Sequence, residues 1–435
     1  MIIKNEKQFI LFCPGPEHLF WAVGFYFAWE LSRTYRVVLV ADSHFVDVER
    51  VRQLVADGVL YDFIPFTPRK NFFLGIRKAY LKHKYFKQLA DKIFHKYKFA
   101  AVIQHTDLGP PNIYLFWKSG LENILRILYR PATTPKNYYN DYVILKNLLI
   151  NRLQNALGLS YRMASALFHL KQYFGYYFHF WLVPLMLTGK IFRPRIDSTF
   201  RKKRFLNGNP RYFDYAIAYS EREKKIADAN GDLSFVVKNP LYVSGEEANG
   251  YLFKGVSQKD KILILPTSGE IEQFVKSYVG PPADKVANYV SKWAEAVKII
   301  QSKFPGFETC IKYHPAGPDD ALFGQAISLL TSTNRSIKVI DRRESAEKLI
   351  VESRVVVGTF TSALWWASEL PSARTVISLD VWGVGGGDRF SDVEGIHYFR
   401  DFGELRKHDF TVPRFRAKYA ADVPTITDFI MEHKL

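Results

Sequence analysis

Three short stretches of the chain combine residue types suited to holding phosphate and ribose. Leu265-Pro266-Thr267-Ser268-Gly269-Glu270 closes an apolar run with two hydroxyls, a glycine and a carboxylate. Tyr313-His314-Pro315 closes a second run with an imidazole, and the proline stops the strand there. Gly358-Thr359-Phe360-Thr361-Ser362 closes a third and leads into residues 363–369, a helical pattern. The first turn of a helix leaves backbone N–H groups unpaired under a positive dipole potential, so phosphate is held there and adjacent hydroxyls add donors. Thr267, Ser268, His314, Pro315, Thr359, Thr361 and Ser362 are therefore expected on the binding side of a site. Glu270 is expected either to contact the ligand or to sit as an exposed turn carboxylate. Each piece alone is common, since Ser and Thr cap many helices. Their order along the chain is what gives them weight.

These side chains need strands that end along one edge of a sheet. Residues 9–13, 37–41 and 100–103 are continuous apolar runs, with helical patterns over 18–31 and 74–97 between them. That alternation predicts a parallel sheet covered on both faces. Within 74–97, Leu81, Tyr85, Leu89 and Ile93 form the expected apolar stripe, and the other faces carry Arg77, Lys78, Lys82, Lys84, Lys87, Lys92 and Lys96 against Asp91. Residues from about 110 to 209 break the alternation and read mainly as helices, an aromatic-rich insertion. A strand resumes over 213–219, and Ser220 with Glu223 predicts a capping box. Residues 241–255, with Gly245, Gly250 and Gly255, are the expected linker.

The second half predicts strands over 262–265, 308–313, 336–340, 354–357 and 375–379. Val286, Val290, Trp293, Val297 and Ile300 mark an amphipathic helix over 284–304, ended by Pro305-Gly306. The glycine-rich segment 383–388 reads as a loop, because no strand–turn–helix context makes it a dinucleotide fingerprint. The expectation is an α/β protein of two Rossmann-like doubly wound domains facing a central cleft, 1–240 and 256–435. Ligand would lie outside the carboxyl ends of the strands.

Tyr313-His314-Pro315 together with Gly358-Thr359-Phe360-Thr361-Ser362-Ala363-Leu364 resembles the His-Pro and paired-hydroxyl motifs of bacterial GT-B glycosyltransferases that use cytidine nucleotides. Sialyltransferases, capsule Kdo transferases and polyol-phosphate polymerases are of this kind. The likeness spans roughly the last third of the chain, and Thr361-Ser362 departs from a strict Ser-Ser pair. It implies that His314, Thr361 and Ser362 contact the phosphate region of a cytidine nucleotide. It further implies a CMP-sugar donor of Kdo or sialic-acid type and a bacterial surface glycan or glycolipid as acceptor. Transfer to a hydroxyl needs a base or a nucleophile, which would come from strand ends of the first domain. Asp107 leads the candidates because glycine soon follows a clear strand end; Glu17 and His18 after the first strand come next, then Asp42. No Asp-x-Asp metal pattern stands out, so helix dipoles and cations are expected to neutralise the leaving group, with neither metal nor cofactor. Transfer of polyol phosphate from a CDP-polyol and epimerisation of a nucleotide sugar fit the same two-domain reading.

Composition bounds these readings. The chain has 435 residues, 48% hydrophobic and 24% charged, which suits two folded domains and excludes a disordered protein. Its two cysteines, Cys13 and Cys310, cannot form a disulfide framework and read as buried thiols. The apolar run 9–13 is too short for a signal-peptide core, which predicts a cytoplasmic protein. A formal net charge of +17 calls for polyanionic partners. Nucleic acid is not expected, since no recognition motif accompanies the charge. Residues 173–189 lack charged side chains and precede Lys190, Arg193, Arg195, Arg201, Lys202, Lys203 and Arg204. Such a pairing suits docking on an anionic membrane surface, with a buried helical hairpin as the competing reading.

Overall fold

The computed structural model describes residues 7–14, 20–43, 46–67, 76–105, 111–129, 213–229, 233–267, 282–312, 321–341, 344–359, 361–370, 374–382, 393–410 and 419–434, with short pieces between 157 and 188, between 270 and 274, and at 390–391. They fall into two compact units. The first holds the described residues up to Val243 together with those from Ala420 onward; the second holds Ser244–Tyr419.

The first unit is built on β1 (Phe9–Cys13), β2 (Arg36–Asp42), β3 (Asp62–Phe66), β4 (Phe99–Gln104), β5 (Leu125–Tyr129), β6 (Tyr215–Ala218) and β7 (Ser234–Val236). They form one parallel sheet in the order β3-β2-β1-β4-β5-β6-β7. Between them run α1 (Phe25–Ser32, entered through a π-helical turn over Phe20–Gly24), α2 (Val48–Ala56), α3 (Ile76–Lys96), α4 (Asn112–Leu121), α5 (Val183–Thr188) and α6 (Glu221–Ala229). Leu11, Val38, Val40 and Val102 of the central strands pack beneath Phe86, Ala90, Ile93 and Phe94 of α3. Such strands are apolar on both faces because helices cover both.

α3 buries only the later half of the stripe its sequence predicts, with Ile93 in the core and Leu89 packed against it. Leu81 is 51% and Tyr85 42% exposed, while Phe86, Ala90, Ile93 and Phe94 are buried. The reason is geometric: steps of four residues overshoot a turn of 3.6 by about 40°, so 81 and 93 end about 120° apart. β5 corrects a second expectation, since a central strand stands where 110–209 read as helical. Its apolar run is interrupted by Arg126, whose guanidinium and backbone N–H are both held by the Asp214 carboxylate at 2.6–3.2 Å. Ser220 caps α6 through Glu223 N–H at 3.2 Å, but the Glu223 carboxylate reaches back one residue further than expected, to the Tyr219 N–H at 2.9 Å.

The expected linker is helical. α7 (Pro240–Leu252) carries the chain from one unit to the other, with Asn239 Oδ1 accepting from Leu241 N at 3.0 Å and proline at its first position. Gly245 and Gly250 sit inside it, and only Gly255, at φ +77°, uses a glycine's freedom.

The second unit contains β8 (Lys259–Leu265), α8 (Pro282–Lys303), β9 (Glu308–Lys312), α9 (Ala321–Thr333), β10 (Ile337–Ile340), α10 (Ala346–Glu352), β11 (Ser353–Gly358), α11 (Ser362–Glu369), β12 (Thr375–Leu379), β13 (Ile396–Phe399) and α12 (Phe402–Lys407). Its six strands are parallel in the order β10-β9-β8-β11-β12-β13. β13, a strand absent from the sequence reading, extends the sheet beside β12. Val286, Tyr289, Val290, Trp293, Val297 and Ile300 of α8 pack on Ile262, Ile264, Val355, Val357 and Ile377 of the sheet. The last helix, α13 (Ile426–His433), belongs to the first unit rather than to the second, where the sequence reading put 420–435. Phe429 meets Tyr215 and Phe235 of β6 and β7 at ring distances of 5.5 and 5.3 Å, and Thr425 with Asp428 closes a full capping box.

Candidate functional site at the carboxyl ends of the strands

In both sheets the strand order reverses about one pair of neighbours. In the second unit β8 leads outward to β9 and β10, while β11 starts the opposite run to β12 and β13. Ligands of doubly wound sheets bind in the crevice at such a switch point. Gly358 of β11 pairs in register with Leu265 of β8, so the residues that follow each strand emerge side by side. Those residues are Thr267 and Glu270 after β8, and Thr359 and Thr361 after β11.

Glu270 does not sit on an exposed turn. It is 0% exposed, and its carboxyl ties the strand ends together: Thr359 Oγ1 donates to Oε2 at 2.6 Å and Trp293 Nε1 to Oε1 at 3.3 Å. The Tyr289 hydroxyl, which accepts from Trp293 Nε1 at 3.0 Å, also bonds the carboxyl. Burial pushes the Glu270 carboxyl up to about 7, against the opposing pull of the bonds from Thr359, Tyr289 and Trp293. Thr359 is itself fully buried, and its carbonyl accepts from Ser378 Oγ of β12 at 2.7 Å. One buried carboxyl thus fixes three neighbouring strand ends. The sequence reading placed Trp293 only on the apolar face of α8; two polar tips four residues apart on that face, Tyr289 and Trp293, were the signal for a buried partner.

Gly358 is required by space. A Cβ there would stand 3.1 Å from the Leu265 carbonyl and 3.1 Å from Thr361 Cγ2. Thr361 caps α11, its hydroxyl accepting from Ala363 N at 3.3 Å, and Ser362 opens the helix. Thr267 is 8% exposed, and no hydrogen bond reaches its hydroxyl. A buried hydroxyl without a partner is costly unless a ligand or water supplies one. Beside the network, the Trp382 ring packs tilted at 4.7 Å from Trp293 and 5.7 Å from Tyr289, directly before the 383–388 segment. Ser268, His314, Pro315 and residues 383–388 lie outside the described residues.

The first unit has the same plan. β1 and β4 are neighbours at its switch point, with Cys13 opposite Gln104. Glu17 and His18 follow β1 and Asp107 follows β4, though all three lie outside the described residues. The strand ends carry a buried polar cluster that sequence reasoning missed. Gln104 Nε2 donates to the Asn112 carbonyl at 3.2 Å, Cys13 Sγ to Asn112 Oδ1 at 3.6 Å, and the Tyr129 hydroxyl to the Pro14 carbonyl at 2.9 Å. Asp42 ends β2 nearly buried, its charge felt by Lys82. Cys13 and Cys310 are both buried, and neither is in a disulfide.

Among the described residues no cluster of three His, Cys, Asp or Glu side chains could hold a metal ion, and no helix is long and apolar enough to cross a membrane. Of residues 173–204, only 183–188, which form α5, are described.

No protein-family profile matches the chain, and no curated protein does. Solved structures resemble it in chain arrangement. A putative UDP-N-acetylglucosamine 2-epimerase from Listeria monocytogenes is similar at a TM-score of 0.49 and 11% identity, over 93% of this chain and 87% of that one. A UDP-N-acetylglucosamine 2-epimerase from Rickettsia bellii is similar at 0.47 and 10% identity, over 98% and 94%. A variant of the wall teichoic acid polymerase TagF is similar at 0.41 and 11% identity, over 98% and 88%. The names of the first two speak of a UDP sugar, where the sequence reading expected a cytidine nucleotide. At such identities the likeness is one of fold, and nothing about substrate follows from it.

Proposed function

We propose that the protein is a glycosyltransferase of GT-B type that moves an acidic sugar, of Kdo or sialic-acid kind, from a CMP-sugar to a glycan or glycolipid acceptor at an anionic membrane surface. The observation that carries this reading is the convergence of Thr267, Glu270, Thr359 and Thr361 on the β8–β11 switch point, next to the amino end of α11. There the helix dipole, backbone N–H groups and the unbonded Thr267 hydroxyl meet where a nucleotide phosphate would lie. His314 supplies a further donor to that phosphate and Pro315 stops its strand; Ser268 and Ser362 add hydroxyls. On this reading Glu270 holds the strand ends in place while the dipole takes up leaving-group charge without a metal. The base comes from the first unit: Asp107 first, then Glu17 and His18.

Thermal-shift titration with CMP, CDP and UDP tests the donor. CMP is expected to raise the melting temperature, and His314→Ala to weaken that response; Asp107→Ala is expected to leave it intact and abolish transfer. No response to any nucleotide would reject the proposal. A response to UDP alone would move the assignment to a UDP-sugar epimerase or transferase, and one to CDP-polyol to polyol-phosphate transfer.

A further inference from the structure

α3 and α5 pack against each other, and together they show four large apolar side chains to solvent. Leu81 and Tyr85 of α3 are 51% and 42% exposed; Leu185 and Met186 of α5 are 39% and 64% exposed. None is a core residue caught at an edge. The opposite face of α3 is filled by Phe86, Ala90, Ile93 and Phe94, while α5 buries Val183 and packs Leu187 against that core. Leu81 and Tyr85 stand one turn apart on a two-sided helix, where solvent would ordinarily select polar residues.

The charge beside these side chains is of one sign. Lys84 and Lys92 of α3 are exposed and form no ion pair among the described residues. The one acid of the helix, Asp91, is taken up by Lys87 at 2.9 Å and by Lys118 at 3.9 Å. The exposed surface of α3 therefore offers apolar tips flanked by uncompensated cations. A folded protein partner would be met by shape, with a groove or paired acceptors; here there are protruding tips and free ammonium groups. That is the composition of an interfacial helix, whose apolar side enters the headgroup boundary while lysines reach lipid phosphates.

We propose that the α3–α5 face docks on a bilayer containing anionic lipid, with Leu81, Tyr85, Leu185 and Met186 entering the interface and Lys84 and Lys92 pairing with headgroups. This deepens the membrane placement of the acceptor proposed above, and its test needs neither donor nor acceptor, so its failure leaves the nucleotide reading standing. The test is flotation of the full chain with phosphatidylcholine vesicles, with and without phosphatidylserine. Wild type is expected to float only with phosphatidylserine. Lys84→Glu with Lys92→Glu is expected to lower partitioning at least 25-fold, since each lysine near an anionic surface contributes about fivefold. Leu81→Glu with Met186→Glu is expected to lower it by more than tenfold with an unchanged melting temperature, all four positions being exposed. Equal flotation with both vesicle types would overturn the proposal, as would retained flotation of both double variants. Light scattering gives a further arm: self-association of wild type that Leu81→Glu abolishes would assign the face to a second copy of the chain instead.

Discussion

Glu270 makes the wild-type protein less stable at neutral pH than an uncharged residue would. Its carboxyl is fully buried and pushed from an ordinary 4.5 up to about 7. Below 4.5 it is protonated in folded and unfolded chains alike. Between 4.5 and 7 the folded chain holds a proton that the unfolded chain has lost, so stability falls as pH rises, and above 7 the whole penalty is present. At 1.36 kcal/mol per unit, the rise of about 2.5 units corresponds to roughly 3 kcal/mol. Glu270→Gln removes the ionisation and keeps the geometry. Trp293 Nε1 can still donate to the amide oxygen, and Thr359 Oγ1 is free to turn and accept, since Ser378 bonds its carbonyl rather than its hydroxyl. Urea unfolding of both proteins at pH 5 and pH 8 reads the effect. From pH 5 to pH 8 the variant is expected to gain about 2–3 kcal/mol relative to wild type in the transition of the second unit. Parallel pH profiles for the two proteins would refute the reasoning and show that the Glu270 carboxyl ionises at its ordinary pH inside the fold.

Glu30 of α1 is the counterpart in the first unit: its carboxyl is 4% exposed and raised to about 7 by burial, against the partial opposition of N–H groups at the start of α13. Glu30→Gln is expected to remove a second, similar loss of stability above pH 5, and double-variant unfolding should show the two effects adding, because they lie in different units. Gly358→Ala is expected to cost about 1–3 kcal/mol and to blunt any nucleotide-induced thermal shift, because the new methyl crowds the Leu265 carbonyl and Thr361. Calorimetry of the apo protein checks the first part and the nucleotide titration the second.

What the sequence displayed was decided by how locally each feature is encoded. β1, β2, β8 and β12 are visible because a strand covered on both faces carries a continuous apolar run through its middle. β5 was hidden because Arg126 interrupts it, and the Asp214 that neutralises this arginine lies 88 residues away. α7 was hidden because Gly245 and Gly250 read as breaks, whereas Asn239 and Pro240 at its start outweigh them. The candidate residues at 267, 270, 359 and 361 were picked out by their place after strands. Their distribution of roles was not. That Glu270 would be an interior tie rather than an exposed carboxylate depends on Tyr289 and Trp293, contributed by the next helix.

The return of α13 to the first unit has a consequence for synthesis. Its ring contacts with β6 and β7, and its packing on α1, join residues 426–433 to elements made well before them. During translation the second unit can close as soon as its own residues leave the ribosome. The first must wait for residues 426–433, which at 5–20 residues per second emerge roughly 10–40 s after Val243. Through that interval Tyr215 and Phe235 lack their cover, so the unit begun earlier is the later of the two to close, and the one a chaperone has more occasion to meet.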